Sequence, residues 1–526
     1  MSKIKKSTVM LLAFVMSAAM LTAQGGTDAG AAAEDTTKAY KFTASSPFFL
    51  QTGVDYNDAM SQALLKKFNL TVEVMPVNLT DLANQNRIWI SSGDMPDVTW
   101  SGFNFGDYKK YVDQGLIRML PANYPTAYPD LNRAMNVTGI DASLKSKFDG
   151  KIYAVTKPIF VNKFADRFAN HISLYYRQDW MKAVGLPIKE AYTLDEVMTI
   201  AKTFQEKDPG NIGKGKTVGF AVEPPNMIYT FLIPYNSRYD RVYKGAEGKY
   251  VYGPFQQSAL EGLKTLRKYY EQGPVYKDFF TIKVRGEVEA MLKAGQTGLM
   301  INGGAFGNSK RIFSDFGATT KTDPLQTLTL ANILGPDNKI HSVEFLNLQS
   351  VSYFSPKMED AKFARILSML NYLCTPEAQE IINLGFKGKD FTQEGDKVTI
   401  TRGKDANGVF KPIADFYPSY NLWSQIMIPW DDFAVRDPST DPRLLDLNKK
   451  TWNARVTMGD MAANDYDLLY FSDPVYDRLS TININNDFTN IVVNNADVEK
   501  AWNAWKEKYA PIVNDALNAV NKALVK

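Results

Sequence analysis

The chain has one cysteine and two histidines among 526 residues. Cys374 has no thiol to pair with, so no disulfide forms within the chain. It lies in an apolar helical pattern, where a small hydrophobe fits better than a nucleophile. His171 and His341 are too few for a histidine-rich metal site. No Gly-x-Ser-x-Gly turn is present to expose a nucleophilic serine. Beyond the N-terminus no apolar run approaches the ~20 residues that span a bilayer. Charge of one sign is also missing. The 60 basic and 57 acidic residues leave a net charge of +3, too near balance to imply a nucleic-acid partner. Internal repeats are absent.

What is present begins with an export signal. Lys3, Lys5 and Lys6 precede an apolar stretch from Val9 to Ala19, followed by small residues. This reads as a secretory signal peptide over 1–23. Leu21-Thr22-Ala23-Gln24-Gly25-Gly26 has the form of a bacterial lipoprotein box, with Gln24 where the lipidated cysteine belongs. A soluble exported protein, periplasmic or extracellular, is therefore expected. Residues 24–38 read as a disordered tether of small residues. The remaining length exceeds the ~250–300 residues at which single cores split, so two lobes are expected.

The pattern after residue 39 alternates strands and helices, which gives an α/β class. Ala39–Ala44 and Leu70–Pro76 alternate apolar and polar residues as strands do. Asp58–Phe68 and Asp81–Ser91 carry the helical period. Ser91-Ser92-Gly93-Asp94 is a turn, and Asp97–Trp100 a short strand. Two glycines then make Ser101–Gly106 a loop, carrying Phe103 and Asn104, before a helix over Asp107–Gln114. Open α/β sheets place ligands at such strand exits. Ile152–Val155 and His171–Arg177 read as strands on either side of a crossover. Thr193 with Glu196 forms a capping box for a helix over Leu194–Lys207. Gly298–Asn302 is a strand running into a Gly303–Gly307 loop. Glu344–Tyr353 reads as a returning strand, and Pro376 as the first residue of a helix. Beyond 400 the pattern weakens. Asn483–Asp487 reads as a polar turn, and Val498–Leu524 as a helical hairpin broken near Pro511.

Several segments resemble one family in order along the chain. Ser92-Gly93-Asp94-Met95-Pro96-Asp97-Val98, Asp149-Gly150-Lys151-Ile152-Tyr153 and Leu174-Tyr175-Tyr176-Arg177-Gln178-Asp179-Trp180 are three of them. Gly298-Leu299-Met300-Ile301-Asn302-Gly303, Thr375-Pro376-Glu377-Ala378-Gln379 and Gly385–Phe391 are the others. Together they resemble the extracellular solute-binding proteins of carbohydrate ABC importers, in particular the large alginate-binding and lipoprotein-like members. The resemblance covers 40–400 well and the tail weakly. It implies two lobes, each a mostly parallel sheet flanked by helices, with a hinge and a cleft between them. First lobe 39–157, second lobe 158–343, a return to the first over 344–400, and a C-terminal region 401–526 packing on both are the expected divisions.

The resemblance also implies an oligosaccharide ligand, a membrane permease as partner, a monomer and no catalysis. Sugar rings present apolar faces and a hydroxyl rim, which aromatic rings, amides and charged planar groups match. Trp100, Ser101, Phe103 and Asn104 follow the third strand, where the family's sugar contacts lie. Trp100 serves there as a ligand contact or as core. Asn302 and Phe306 stand at the matching exit of the second lobe, Phe306 as a stacking ring or as core. Arg177 reaches the cleft or pairs with Asp179. Trp423 and Trp430 cap the cleft or pack an irregular segment. Asp208-Pro209-Gly210-Asn211-Ile212-Gly213-Lys214-Gly215-Lys216 resembles a calcium loop of some large members. Calcium takes ~6–8 oxygen ligands, and only Asp208 is acidic, with Asn211 the next candidate. No cofactor is expected, and a plain turn is the alternative to a calcium site. Two other functions stay open from the residues alone. A secreted polysaccharide hydrolase or lyase needs paired carboxylates in a cleft, and no local motif supplies them. A peptide-binding member of the same fold is the other.

Overall fold

A computed structural model describes residues 36–46, 55–78, 81–159, 172–344, 346–395, 397–404, 410–426 and 440–525. The signal peptide, most of the tether, Gln24, His171 and Trp430 lie outside the described residues. The strands are β1 Tyr40–Ser46, β2 Leu70–Pro76, β3 Val98–Ser101, β4 Val155–Lys157, β5 Ile172–Arg177, β6 Ala191–Thr193, β7 Val242–Lys244, β8 Tyr250–Tyr252, β9 Leu299–Gly303, β10 Leu328–Leu334, β11 Ile340–Val343, β12 Ser350–Phe354, β13 Phe391–Glu394, β14 Lys397–Ile400 and β15 Gly459–Ala462.

Two main sheets organise them, in the orders β2-β1-β3-β12-β4 and β6-β10-β5-β9. The expectation of mostly parallel sheets needs correction. β1 runs parallel to β2 and β3, but β12 is antiparallel to both of its neighbours. In the second sheet β5 is antiparallel to β9 and β10, and only β10 with β6 is parallel. The crossovers explain this. A strand entering a lobe from the other one, β5 or β12, runs away from the junction. Strands such as β3, β9 and β10 run toward it. Each sheet therefore has one edge at which the chain leaves for, or arrives from, the other. Those edges carry the ends of β3 and β4 and the start of β12 on one side. On the other they carry the start of β5 and the ends of β9 and β10.

The second sheet is buried on both faces, with the two-residue period of a strand. Leu174, Tyr176, Leu299 and Ile301 enter one core, and Tyr175 and Met300 the opposite one. The first lobe's core collects Phe42, Val98, Tyr108, Val351 and Leu370. The tail threads both lobes. Leu422 and Trp423 join the first core, Leu444 the second lobe, Tyr470 the first core again, and Phe488 through Val520 the second lobe. β11 and β15 pair in parallel as a short ribbon at the junction, from Ile340↔Gly459 to Val343↔Ala462.

Local signals held where a side chain caps a helix. Thr193 and Glu196 form the capping box of Leu194–Lys207, and Pro376 opens Pro376–Leu384. The tail differs from expectation. Val498–Leu524 is one helix with Pro511 inside it. Trp502, Trp505, Val513, Ala516 and Val520 bury one continuous stripe, which outweighs the single lost N–H bond. Asn483 does not make a turn. It caps the helix Ile484–Asn494, accepting from Asn486 N at 3.1 Å.

Candidate functional site

The first wall of the junction is the exit of β3. Trp100 is 6% exposed and packs with Val77 and Leu82. Its indole N–H donates to the Gln425 carbonyl at 3.2 Å, and Asn86 Nδ2 donates to the Trp100 carbonyl at 3.0 Å. Gln349 Nε2 in turn donates to Gln425 Oε1 at 3.0 Å. Lys157, at the end of β4, is buried and donates to the Ser424 carbonyl at 2.5 Å. Burial drives its pKa well down. The exits of β3 and β4 are thus tied to Ser424–Gln425, the segment that leads into residues outside the description. Ser101 Oγ bonds the Gly102 carbonyl. Phe103 is half-buried, with its ring 4.6 Å from Phe105 and 5.5 Å from Tyr108. Asn104 is exposed and caps the helix Phe105–Asp113, accepting from Asp107 N at 2.9 Å.

The second wall is the exit of β9. Asn302 is buried. Its Nδ2 donates to Glu289 Oε1 at 2.9 Å, and its Oδ1 accepts from Gly303 N and Asn308 Nδ2. Arg311 forms a fork on Glu289, with Nη2 2.7 Å from Oε1 and Nη1 2.9 Å from Oε2. That pair holds the Glu289 carboxyl below its ordinary pKa. Beside Gly303, Arg285 Nε donates to Glu223 Oε1 at 2.9 Å and its Nη2 reaches Asn226 Oδ1 at 3.4 Å. Glu223 is buried and its Oε2 has no hydrogen-bond partner among the described residues, whereas the Arg285 side chain is 45% exposed. A Cβ on Gly303 would stand 3.3 Å from Asn308 Nδ2 and 3.8 Å from Arg285 Nη1. A side chain there would push the Asn308 amide aside by a few tenths of an ångström.

Several expected residues are elsewhere. Phe306 has no exposed surface and fills the core with Met300 and Phe313. Trp423 is likewise fully buried, its N–H donating to Ser61 Oγ at 2.9 Å. Neither ring offers a face to a ligand. Arg177 ends β5 on the edge away from the junction. It pairs with Asp179 at 2.5 Å, and its guanidinium lies 4.8 Å over the Trp180 ring. The cleft reading of Arg177 is therefore corrected to the ion pair. The sequence reading missed Glu223, Arg285 and Arg311. Their charge alone gave no signal, because they lie far apart in the chain and meet only through the sheet.

Two adjoining grooves, of about 580 and 680 Å³, run from Asn104 and Gly106 to Arg241 and Val242 of the second lobe. Half-buried Tyr243, Tyr466 and Tyr476 line them, none singled out in the sequence. Burial pushes the Tyr476 hydroxyl up to about 12, so it stays a neutral donor.

The calcium-loop candidate Asp208–Lys216 is held by its own hydrogen bonds. Both Asp208 oxygens are occupied by donors: Ile212 N at 3.2 Å, Gly213 N at 2.8 Å and Thr217 Oγ1 at 2.7 Å. Asp208 and Asn211 hold left-handed backbone, at φ 47° and 52°. The positions between and after them are Gly210, Ile212, Lys214 and Lys216, which offer no carboxylate. Adding calcium or EDTA is expected to leave the melting temperature unchanged. A calcium-dependent rise would show a bound ion.

This architecture is matched in solved structures. Streptococcus pneumoniae FusA in complex with kestose superposes with a TM-score of 0.65 at 17% identity, over 92% of this chain and 99% of that one. The chain has the fold of the two-lobed solute-binding proteins. No family model matches it. Curated relatives are the lipoprotein LipO of Bacillus subtilis, 23% identical over 63% of this chain and 63% of that protein. Another is YtcQ of the same organism, a polygalacturonan/rhamnogalacturonan-binding protein, 24% identical over 53% of this chain and 52% of that protein. FusA, named a fructooligosaccharide ABC transporter substrate-binding protein, is 25% identical over 46% of each. The chain thus spans between 46% and 63% of the length of these relatives. FusA is thus named as a substrate-binding protein of an ABC transporter, the class that the motifs resemble. Another FusA structure is described as an EF-hand mutant, and a structure of the alginate-binding protein AlgQ2 as without calcium ion. Among the described residues no helix is long and apolar enough to cross a membrane.

Proposed function

We propose that the chain is an exported solute-binding protein. It captures an oligosaccharide between the lobes and presents it to the permease of an ABC importer, without catalysing a reaction. What supports this reading is the pair of strand exits, β3 and β9, to which the resemblance assigns sugar contacts. Each ends in polar groups fixed by other parts of the fold: Ser101–Asn104 on one side, Asn302, Arg285 and Glu223 on the other. Guanidinium and carboxylate groups held in place this way match the hydroxyl rim of a sugar and need no rearrangement to do so. The Asn104 grooves, with tyrosine rings, extend the site for further sugar units. The cognate relatives bind different glycans, FusA fructooligosaccharides and YtcQ pectic polymers, so the panel for a test spans neutral and uronic-acid oligosaccharides. Closure of the lobes about the β11–β15 ribbon would bury the ligand. The rims of both lobes are then the surfaces for the permease. A hydrolase is not supported: no relative or neighbour named above is one. Purified protein incubated with the panel is expected to gain melting temperature with one glycan and leave its length intact. Shortened glycan would overturn the reading.

A further inference from the structure

β11 and β15 lie side by side where two chain connections pass from the second lobe to the first. β11 follows β10 and leads on to β12. β15 follows the helix Pro442–Met458 and leads on to Tyr466 and Tyr470, which pack with the first core. The register of this ribbon sets His341 opposite Asp460, with Asp460 Oδ2 3.8 Å from His341 Nδ1. The other ring nitrogen, Nε2, lies 2.9 Å from Asp337 Oδ1, which also accepts from Lys339 N at 3.1 Å. One nitrogen of the ring and one oxygen of each carboxylate gather within 4.8 Å of one another. Among the described residues no lysine or arginine side chain pairs with Asp337 or Asp460. Arg455, which lines the same small cavity as His341, bonds Asn332, Ile172 and Ser173 instead.

Desolvation raises the Asp337 pKa, but the bonds from His341 and the Lys339 amide outweigh it and hold the carboxyl below its ordinary value. A carboxylate only accepts, so Nε2 carries the ring proton. Gly335 leaves the ring its place, since a Cβ there would stand 2.7 Å from His341 Cδ2. In its neutral form His341 then keeps its lone pair on Nδ1. Among the described residues Nδ1 makes no hydrogen bond, and it is not sealed from solvent. Asp337 and Asp460 are both exposed. A gap of 3.8 Å from Nδ1 to the Asp460 oxygen is too long for a hydrogen bond. Two acceptors facing each other repel, whereas a cation between them is attracted to both. Imidazole beside carboxylate suits zinc and its neighbours, while calcium takes oxygen ligands. Zinc sits ~2.0–2.1 Å from nitrogen and ~2.0–2.2 Å from a carboxylate oxygen, so one ion bridges the gap with a bent N–Zn–O angle.

We propose that His341 Nδ1 and Asp460 bind a divalent transition-metal ion of the zinc class across the β11–β15 ribbon. Asp337 is the positioning residue: it holds Nε2–H and so aims the free lone pair at the ion. Water completes the coordination sphere. So sparse a set of protein ligands exchanges its ion freely, so the metal enters when supplied and EDTA withdraws it. Once bound, it fastens one connection between the lobes to the other. The site is separate from the Asp208 loop, and no step of it rests on the sugar reading.

The probe is zinc, added to protein dialysed free of metal, at fixed pH and ionic strength. Titration calorimetry is expected to show one zinc per chain. Tm is expected to rise by roughly 2 °C once zinc exceeds its Kd about thirtyfold, and to fall back with EDTA. Magnesium at the same concentration is expected to give no rise. His341→Ala is expected to abolish zinc binding, and Asp337→Asn to weaken it about tenfold at unchanged stoichiometry. Should His341→Ala not fold, a zinc-soaked crystal of the unaltered protein decides: an anomalous peak ~2.0–2.1 Å from Nδ1 is expected. No zinc binding, an equal rise with magnesium, binding that persists in His341→Ala, or no peak beside Nδ1 would each overturn the proposal.

Discussion

Trp100→Ala is expected to destabilise the protein by about 3–5 kcal/mol, the range for removing a buried large aromatic side chain. The ring is 6% exposed against Val77 and Leu82. Its removal empties that cluster and leaves the Gln425 carbonyl without its indole donor. An unmet buried acceptor adds about 1–3 kcal/mol when no water replaces the donor. Trp100→Phe is expected to fall between the two, keeping part of the ring and losing the N–H. The check is the midpoint of urea unfolding. A midpoint unchanged by Trp100→Ala would mean that the ring stands free in the cleft, as a sugar-stacking contact would.

Much of the first lobe was legible because its signals are local. The alternation of β1 and β2, the Gly93 turn and the Asn104 loop all lie within short windows. The Thr193–Glu196 box is likewise a three-residue relation. The direction of β5 and β12 was not legible. It depends on which lobe a strand enters from, a property of the whole chain path. The tail was obscured for a related reason: it passes between the lobes, so Trp423 and Leu444 each pack against residues far away in sequence. Aromatic residues misled at the site. Phe306 and Trp423 have the composition of sugar-stacking rings, but composition does not distinguish a ring in a cleft from one in a core. The charged pairs Glu223–Arg285 and Glu289–Arg311 gave no pattern, since sheet topology alone brings them to the Gly303 exit.

Arg285→Ala is expected to weaken oligosaccharide affinity more than tenfold, which is about 1.4 kcal/mol or more. The Arg285 side chain is 45% exposed at the β9 exit, and Glu223 and Asn226 fix its orientation. Loss of the guanidinium removes the donors and leaves Glu223 buried with its strongest partner gone. Arg443→Ala is the control. That side chain is 54% exposed and pairs with Asp323 and Asp441 on the same lobe. Exposed pairs contribute roughly 0–1 kcal/mol to stability, and no change in affinity is expected from this one. Equal affinities in both variants and the unaltered protein would place binding away from the β9 exit.

Capture without chemistry between the two lobes is tested most directly by isothermal titration calorimetry against neutral and uronic-acid oligosaccharides. The predicted result is a saturable heat at one ligand per chain for at least one glycan, returning to baseline after each injection. A sustained heat flow that continues at saturation would reveal turnover, and no heat with any glycan would remove the oligosaccharide from the account; either result contradicts it.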